Sequence, residues 1–111
     1  EFMAEIDSQL DVISERLIAL DGSPYSTLKE MTENTKIQDW PGEWDKTTPE
    51  RLAHLVDGYR YLENLYQHGI EVSDVEKDFS TQDIFIGLKT AIEKKIWMIQ
   101  AELGAAPEID K

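Results

Sequence analysis

The chain has 111 residues, with 23 acidic against 11 basic side chains, a formal net charge of -12 and no cysteine. That length suits one domain with a core of its own and is short for a large enzyme. The charge repels nucleic-acid phosphates and suits cations or basic partners, so DNA binding by this segment is not expected; the missing cysteines exclude disulfides and thiolate metal ligation and fit a reducing cytoplasm. No apolar run approaches the ~18 residues of a membrane span, and no signal-peptide pattern opens the chain, so a soluble protein is expected.

The first element covers Glu1–Leu20, where Met3, Ile6, Leu10, Ile13, Leu17 and Leu20 recur at spacings of three and four. That period predicts an amphipathic α-helix with one continuous buried stripe. At about 100° per residue, Asp11 and Glu15 fall roughly opposite the stripe, beside Ala4, Ser14 and Ile18. Like charges at this spacing repel by about 0.2–0.5 kcal/mol, so the pair needs water or a bound cation to be tolerable. The chain opens in mid-helix, with no N-cap before Phe2, and reads as a fragment. Gly22, just after Asp21, is placed to take the left-handed conformation that ends a helix.

Ser23-Pro24-Tyr25 makes a turn, and Ser26 or Thr27 can cap a short second helix, with Thr27 and Glu30 at the spacing of a capping box. Lys36–Lys46, with Trp-Pro-Gly at its middle, predicts a connecting loop that Trp40 and Trp44 pin to the bundle. A third helix opens at Thr48-Pro49-Glu50, carries Leu52, Leu55, Val56, Tyr59, Leu62, Leu65 and Tyr66 on its apolar face, and ends at Gly69. After an acidic turn over Glu71–Lys77, a fourth helix buries Ile84, Phe85, Leu88, Ile92, Ile96, Ile99 and Leu103 and stops at Gly104. Gly58 and Gly87 lie inside these helices at about 1 kcal/mol each against alanine, and close helix–helix approach is the expected compensation. Trp97 and Met98 are expected to pack in the bundle, and the tail after Gly104 to fray.

Long helices joined by short loops predict an all-α antiparallel bundle. Four long helices are needed for a four-helix bundle. This chain supplies two, a third that opens in mid-helix, and a short one in the long connection. The expected architecture is therefore an N-terminally incomplete four-helix bundle with an open core face, which favours association over a stable monomer.

No phosphate-binding glycine loop, zinc helix, EF-hand loop or nucleophile elbow occurs. His54 follows Glu50 by four residues, a spacing that can place two metal ligands on one helix face, but a surface histidine beside a carboxylate is the commoner case. The Asp11/Glu15 spacing recurs at Glu1/Glu5 and Asp7/Asp11, so on spacing alone a solvated face accounts for it. Asp74, Asp78 and Asp83 read first as favourable charge at the start of the fourth helix, worth about 0.3–1 kcal/mol each.

Two blocks carry a stronger signal. LDVISERLIALDGSPYSTLKE and DIFIGLKTAIEKKIWMIQAELG closely resemble the Dps family, the ferritin-like miniferritins named as DNA-binding proteins from starved cells. The Asp-x-x-x-Glu-Arg element is Asp11, Glu15 and Arg16, followed by the glycine turn with Pro24, Ser26, Thr27 and Leu28. The similarity extends over nearly the whole chain and is nearest to the Dps-like peroxide-resistance proteins of Gram-positive lactic bacteria.

The resemblance implies that residues 1–111 are the C-terminal part of a single ferritin-like domain, copies of which form a hollow twelve-subunit cytoplasmic shell. It implies a ferroxidase: iron(II) is oxidised, preferably by hydrogen peroxide or else by oxygen, and stored as ferric mineral, which protects the cell from oxidative stress. Asp11 and Glu15 match the family's two carboxylate ligands at an interface between two-fold-related subunits, and hard carboxylate oxygens suit iron. The family's histidine ligands come from the first helix and the start of the second, upstream of Glu1, and neither His54 nor His68 matches them. These residues hold half a site, so activity is expected of the intact assembly. Asp74, Asp78 and Asp83 match the region that lines the family's three-fold channel, where a carboxylate ring concentrates iron(II) by electrostatic focusing. The basic N-terminal tail that gives some members DNA binding is not among these residues. A reading of a different class is a structural helical module whose open apolar face binds a partner helix, without metal chemistry. Metal dependence separates the two.

Overall fold

Four α-helices make up the regular structure of the described residues, with no strand among them. The structure, a computed structural model, describes residues 2–37, 42 and 44–109, except the side chains of Phe2 and Met3. Glu1, the Met3 side chain of the expected stripe, Trp40 of the connecting loop and the last two residues of the tail therefore lie outside the described residues. The chain divides into two compact units, Glu1–Gln38 and Asp39–Lys111.

The first unit holds α1 (Phe2–Ala19) and α2 (Leu28–Asn34). The end of α1 differs from expectation by one residue. Asp21, not Gly22, takes the left-handed conformation (φ 65°), while the Gly22 N–H donates to the Leu17 carbonyl at 2.8 Å and the Asp21 N–H to that of Ile18 at 3.0 Å. This is the Schellman arrangement, and aspartate is among the few side chains that tolerate its left-handed position. Gly22 is required for a different reason, because a Cβ there would collide with the Leu17 side chain. The capping box of α2 forms as expected: Thr27 Oγ1 accepts from the Glu30 N–H at 3.1 Å, and Glu30 Oε1 accepts from the Thr27 N–H at 3.1 Å.

The expected burial of the α1 stripe is not met. Leu10, Leu17 and Leu20 are exposed, and only Ile6 and Ile13 are half-buried. Within its own unit α1 has only the seven-residue α2 for company, and α2 buries none of its residues. One short helix cannot cover an eighteen-residue face.

The second unit is a helical hairpin of α3 (Thr48–Val75) and α4 (Phe79–Glu102). Thr47 caps α3, its hydroxyl accepting from the Glu50 N–H at 3.2 Å, so the cap is one residue earlier than the sequence suggests and Pro49 stands in the first turn. The helix does not stop at Gly69 but continues to Val75. Gly69 marks an approach instead of an end: a Cβ there would lie 2.8 Å from the ring of Phe85 on α4. The two rings Tyr66 and Phe85 sit beside it, with centroids 6.0 Å apart. The true end is a second Schellman turn, with Lys77 left-handed (φ 58°) and the Asp78 N–H donating to the Ser73 carbonyl at 2.9 Å.

Along the hairpin, Gln82 reaches the Ile70 carbonyl, Phe85 meets Tyr66, and Lys89 meets Glu63, which fixes the two helices as antiparallel. Val56, Tyr59, Tyr66, Ile92, Ile96 and Ile99 are its buried apolar residues, at helical spacing on both helices as expected. Each such burial is worth about 1.5–3 kcal/mol. Gly58 and Gly87 do not serve close approach, since nothing lies within 4 Å of a Cβ at either. Trp44 does not pin its loop and is fully exposed, and Trp97 and Met98 are exposed on α4 where packing was expected.

The chain leaves α4 at Gly104 (φ 73°) as expected, but the tail does not fray at once. The Ala105 N–H donates to the Gln100 carbonyl at 2.8 Å, the buried Gln100 side chain donates to the Ala106 carbonyl at 3.1 Å, and Arg60 of α3 donates to the Pro107 carbonyl at 3.3 Å. The tail is thus turned back and held against the hairpin.

Candidate metal centre

Asp11 and Glu15 lie one turn apart on α1, and both are exposed. Ile18, one turn further on the same face, is 59% exposed, so the ledge read from the sequence is open to its surroundings. Two carboxylates can give a hard cation oxygen ligands, but too few to enclose it. No group of three or more histidine, cysteine, aspartate or glutamate side chains able to hold a metal ion occurs among the described residues. The donor chemistry of Asp11 and Glu15 therefore fits iron, but among the described residues these two carboxylates alone do not make a metal-holding group.

Asp74, Asp78 and Asp83 surround the α3–α4 turn, but they differ in kind. Asp74 is in the last turn of α3, not near the start of α4 as expected, because α3 runs past Gly69. A carboxylate there faces the negative end of the helix dipole, so favourable dipole charge does not explain it. Asp78 is the N-cap of α4: Oδ1 accepts from the Thr81 N–H at 3.1 Å and Oδ2 from the Thr81 hydroxyl at 2.6 Å. Asp83 is exposed in the second turn of α4, while Asp74 accepts a 3.3 Å hydrogen bond from Gln82. His54 and His68 both lie on α3, in the second unit, whereas Asp11 and Glu15 belong to the first.

One polar cluster was not foreseen. The side chain of Glu63 is buried in the hairpin, its Oε1 is 3.3 Å from Lys89 Nζ, and Glu93 Oε2 is 3.0 Å from the same nitrogen. The hydrogen bond to Glu93 and, less strongly, that to Glu63 hold the ammonium above its usual pKa against the opposing effect of burial. The signal was in the sequence: Glu63 falls four residues after Tyr59 and three before Tyr66, on the face those tyrosines bury.

Residues 1–109 match the Ferritin family, described as a ferritin-like domain. The DNA protection during starvation protein of Streptococcus suis is 52% identical over 109 residues, and that of Listeria monocytogenes 42% identical over 107 residues. The alignments cover 98% and 96% of this chain, but 63% and 69% of the relatives, so the chain spans about two thirds of their length. Among solved structures, Dps from Listeria monocytogenes superposes with a TM-score of 0.91 at 43% identity, covering 94% of this chain and 68% of that one. Dps from Listeria innocua soaked with cobalt gives 0.90 at 42% identity, with 94% and 67% covered. An all-helical fold of this likeness, carried by more than 40% identity across nearly every residue, establishes that the chain belongs to the Dps family of ferritin-like proteins.

Proposed function

We propose that the protein of which this chain is the sequence oxidises iron(II) and stores the ferric product within a hollow, multi-subunit shell in the cytoplasm, using hydrogen peroxide or oxygen as oxidant. The observation that carries this reading is the exposed Asp11/Glu15 pair, one turn apart on α1 of a Dps family member. Because the pair is exposed and incomplete, the remaining ligands come from outside the described residues, which fits a site shared between subunits. The carboxylates hold the cation by charge, and as iron(II) loses an electron the same oxygens stabilise the higher positive charge of iron(III) more strongly. With peroxide, two iron(II) ions each give one electron and the oxygen–oxygen bond breaks to two hydroxide equivalents.

Asp74, Asp78 and Asp83 are proposed to line the route by which iron(II) enters, as a patch of negative potential at the hairpin tip. Since Asp78 also caps α4, the test falls on Asp74 and Asp83. Their neutralisation is expected to slow uptake at low salt while leaving iron binding at equilibrium unchanged. The exposed Leu10, Leu17 and Leu20 favour association, which the shell itself would satisfy without a separate partner helix.

The decisive experiment is an anaerobic iron(II) titration of the intact assembly and of the Asp11→Asn/Glu15→Gln variant. Binding and peroxide-driven oxidation are expected to fall at least tenfold in the variant, because neutral amides are poor ligands for a hard cation. Equal binding in both would remove the two residues from the site and favour the helical module without metal chemistry.

A further inference from the structure

The Glu63–Lys89–Glu93 cluster includes none of the residues proposed for iron, and in it two carboxylates converge on one cation. Glu63 is 3% exposed among apolar neighbours on α3, and an uncompensated carboxylate there would be strongly disfavoured. One lysine would neutralise it. Instead Lys89 Nζ is shared between oxygens of two carboxylates, at 3.3 Å from Glu63 and 3.0 Å from Glu93, so hard oxygen donors from two helices converge on a single positive centre. The side chains of Lys89 and Glu93 are 22% and 32% exposed and that of Glu63 4%, so among the described residues the centre is buried on the Glu63 side and less covered on the Glu93 side.

We propose that Lys89 is the built-in cation of a two-carboxylate site in the α3–α4 hairpin, and that its ammonium excludes a divalent metal ion from Glu63 and Glu93. The inference stands apart from the iron reading and does not depend on it. Hard divalent cations hold oxygens at about 2.0–2.6 Å, so in place of the ammonium the carboxylates would move inward by about 0.4–1.3 Å. Glu93, the more exposed of the two carboxylates, is the one expected to move, and water can complete the coordination from its side. The preference of manganese(II) for carboxylate and water oxygen makes it the suitable probe.

The test uses the full-length protein and its Lys89→Met, Lys89→Arg and Glu63→Gln/Lys89→Met variants, titrated with manganese(II) and followed by bound-metal counting and thermal unfolding. Lys89→Met is expected to bind one more manganese(II) per chain than the parent and to melt lower without metal. Manganese(II) should then raise its midpoint beyond any shift seen in the parent. Lys89→Arg, which keeps a cation, and the double variant, which loses a carboxylate, should both bind the parent's number. The proposal is overturned if Lys89→Met binds only that number, if manganese(II) gives it no added stability, or if it stays unfolded with the metal present. An added manganese(II) in Lys89→Arg would overturn it too.

Discussion

Gly69 of α3 lies so close to Phe85 of α4 that a Cβ at Gly69 would stand 2.8 Å from two carbons of the ring. The glycine costs its helix about 1 kcal/mol of propensity relative to alanine, yet a methyl group in that contact would force the ring or the helices apart at about 1–3 kcal/mol. Gly69→Ala is therefore expected to lower stability by up to ~2 kcal/mol, whereas Gly58→Ala and Gly87→Ala, with open space around them, should raise it by up to ~1 kcal/mol each. Denaturant midpoints of the three variants check this. Destabilisation by Gly58→Ala or Gly87→Ala would reveal a neighbour at those positions in the assembly.

Lys77 turns the hairpin in the left-handed region with φ 58°, a conformation that costs a side chain with a Cβ about 1 kcal/mol or more. Lys77→Gly removes that strain at an exposed position. A gain of about 1 kcal/mol is expected in chemical unfolding, and a loss would mean that the lysine side chain stabilises the turn by more than the strain.

Asp78 separates capping from charge. Asp78→Ala deletes both bonds to Thr81 and is expected to cost about 0.5–2 kcal/mol, while Asp78→Asn retains an acceptor oxygen and should cost less. Asp83→Asn, with no cap to lose, should leave stability within about 0.5 kcal/mol of the parent. Thermal melts of the three distinguish the roles before any uptake measurement is made.

High pH should loosen the hairpin. Burial pushes the Tyr66 phenol up to about 12 from an ordinary 10.0, and hydrogen bonds to Glu93 and then Glu63 hold the Lys89 ammonium above its ordinary value. Both groups bind their protons more tightly folded than unfolded. Their contribution is thus whole below about pH 10 and declines as pH rises toward 12, by up to ~2–3 kcal/mol for Tyr66. Denaturant midpoints flat to pH 10 and falling above it are expected, with a shallower fall in Tyr66→Phe. A variant that falls as steeply as the parent would shift the cause to other groups.

The periodic features were legible in the sequence. Val56, Tyr59, Tyr66, Ile92, Ile96 and Ile99 are buried where a helical repeat put them, and Thr27 with Glu30 closes the box that their spacing foretold. Glycine misled, because one residue type serves several ends. At Gly104 it supplies a left-handed turn, but at Gly69 it admits an aromatic ring, and nothing local in the sequence tells these apart. At Asp21 and Lys77 a turn was expected but not its left-handed residue, for the converse reason: a residue with a Cβ sits where glycine would be cheapest. Because of that error at Gly69, Asp74 was expected in the turn before α4, whereas it lies in the last turn of α3. The Asp11/Glu15 ledge was read from the helical wheel and its exposure agrees, whereas the further ligands proposed for it would lie outside the described residues and leave no trace in local spacing.

The clasp on the C-terminal tail ends on the main chain, since Gln100 and Arg60 both donate to backbone carbonyls, of Ala106 and Pro107. Every residue type carries such an acceptor. The side chains beyond Gly104 can therefore drift among relatives without loosening the grip, so long as the length and the turn are kept. The specificity resides in the two donors on the helices, and a comparison of tails by their letters alone would overlook a fastening that all of them could share.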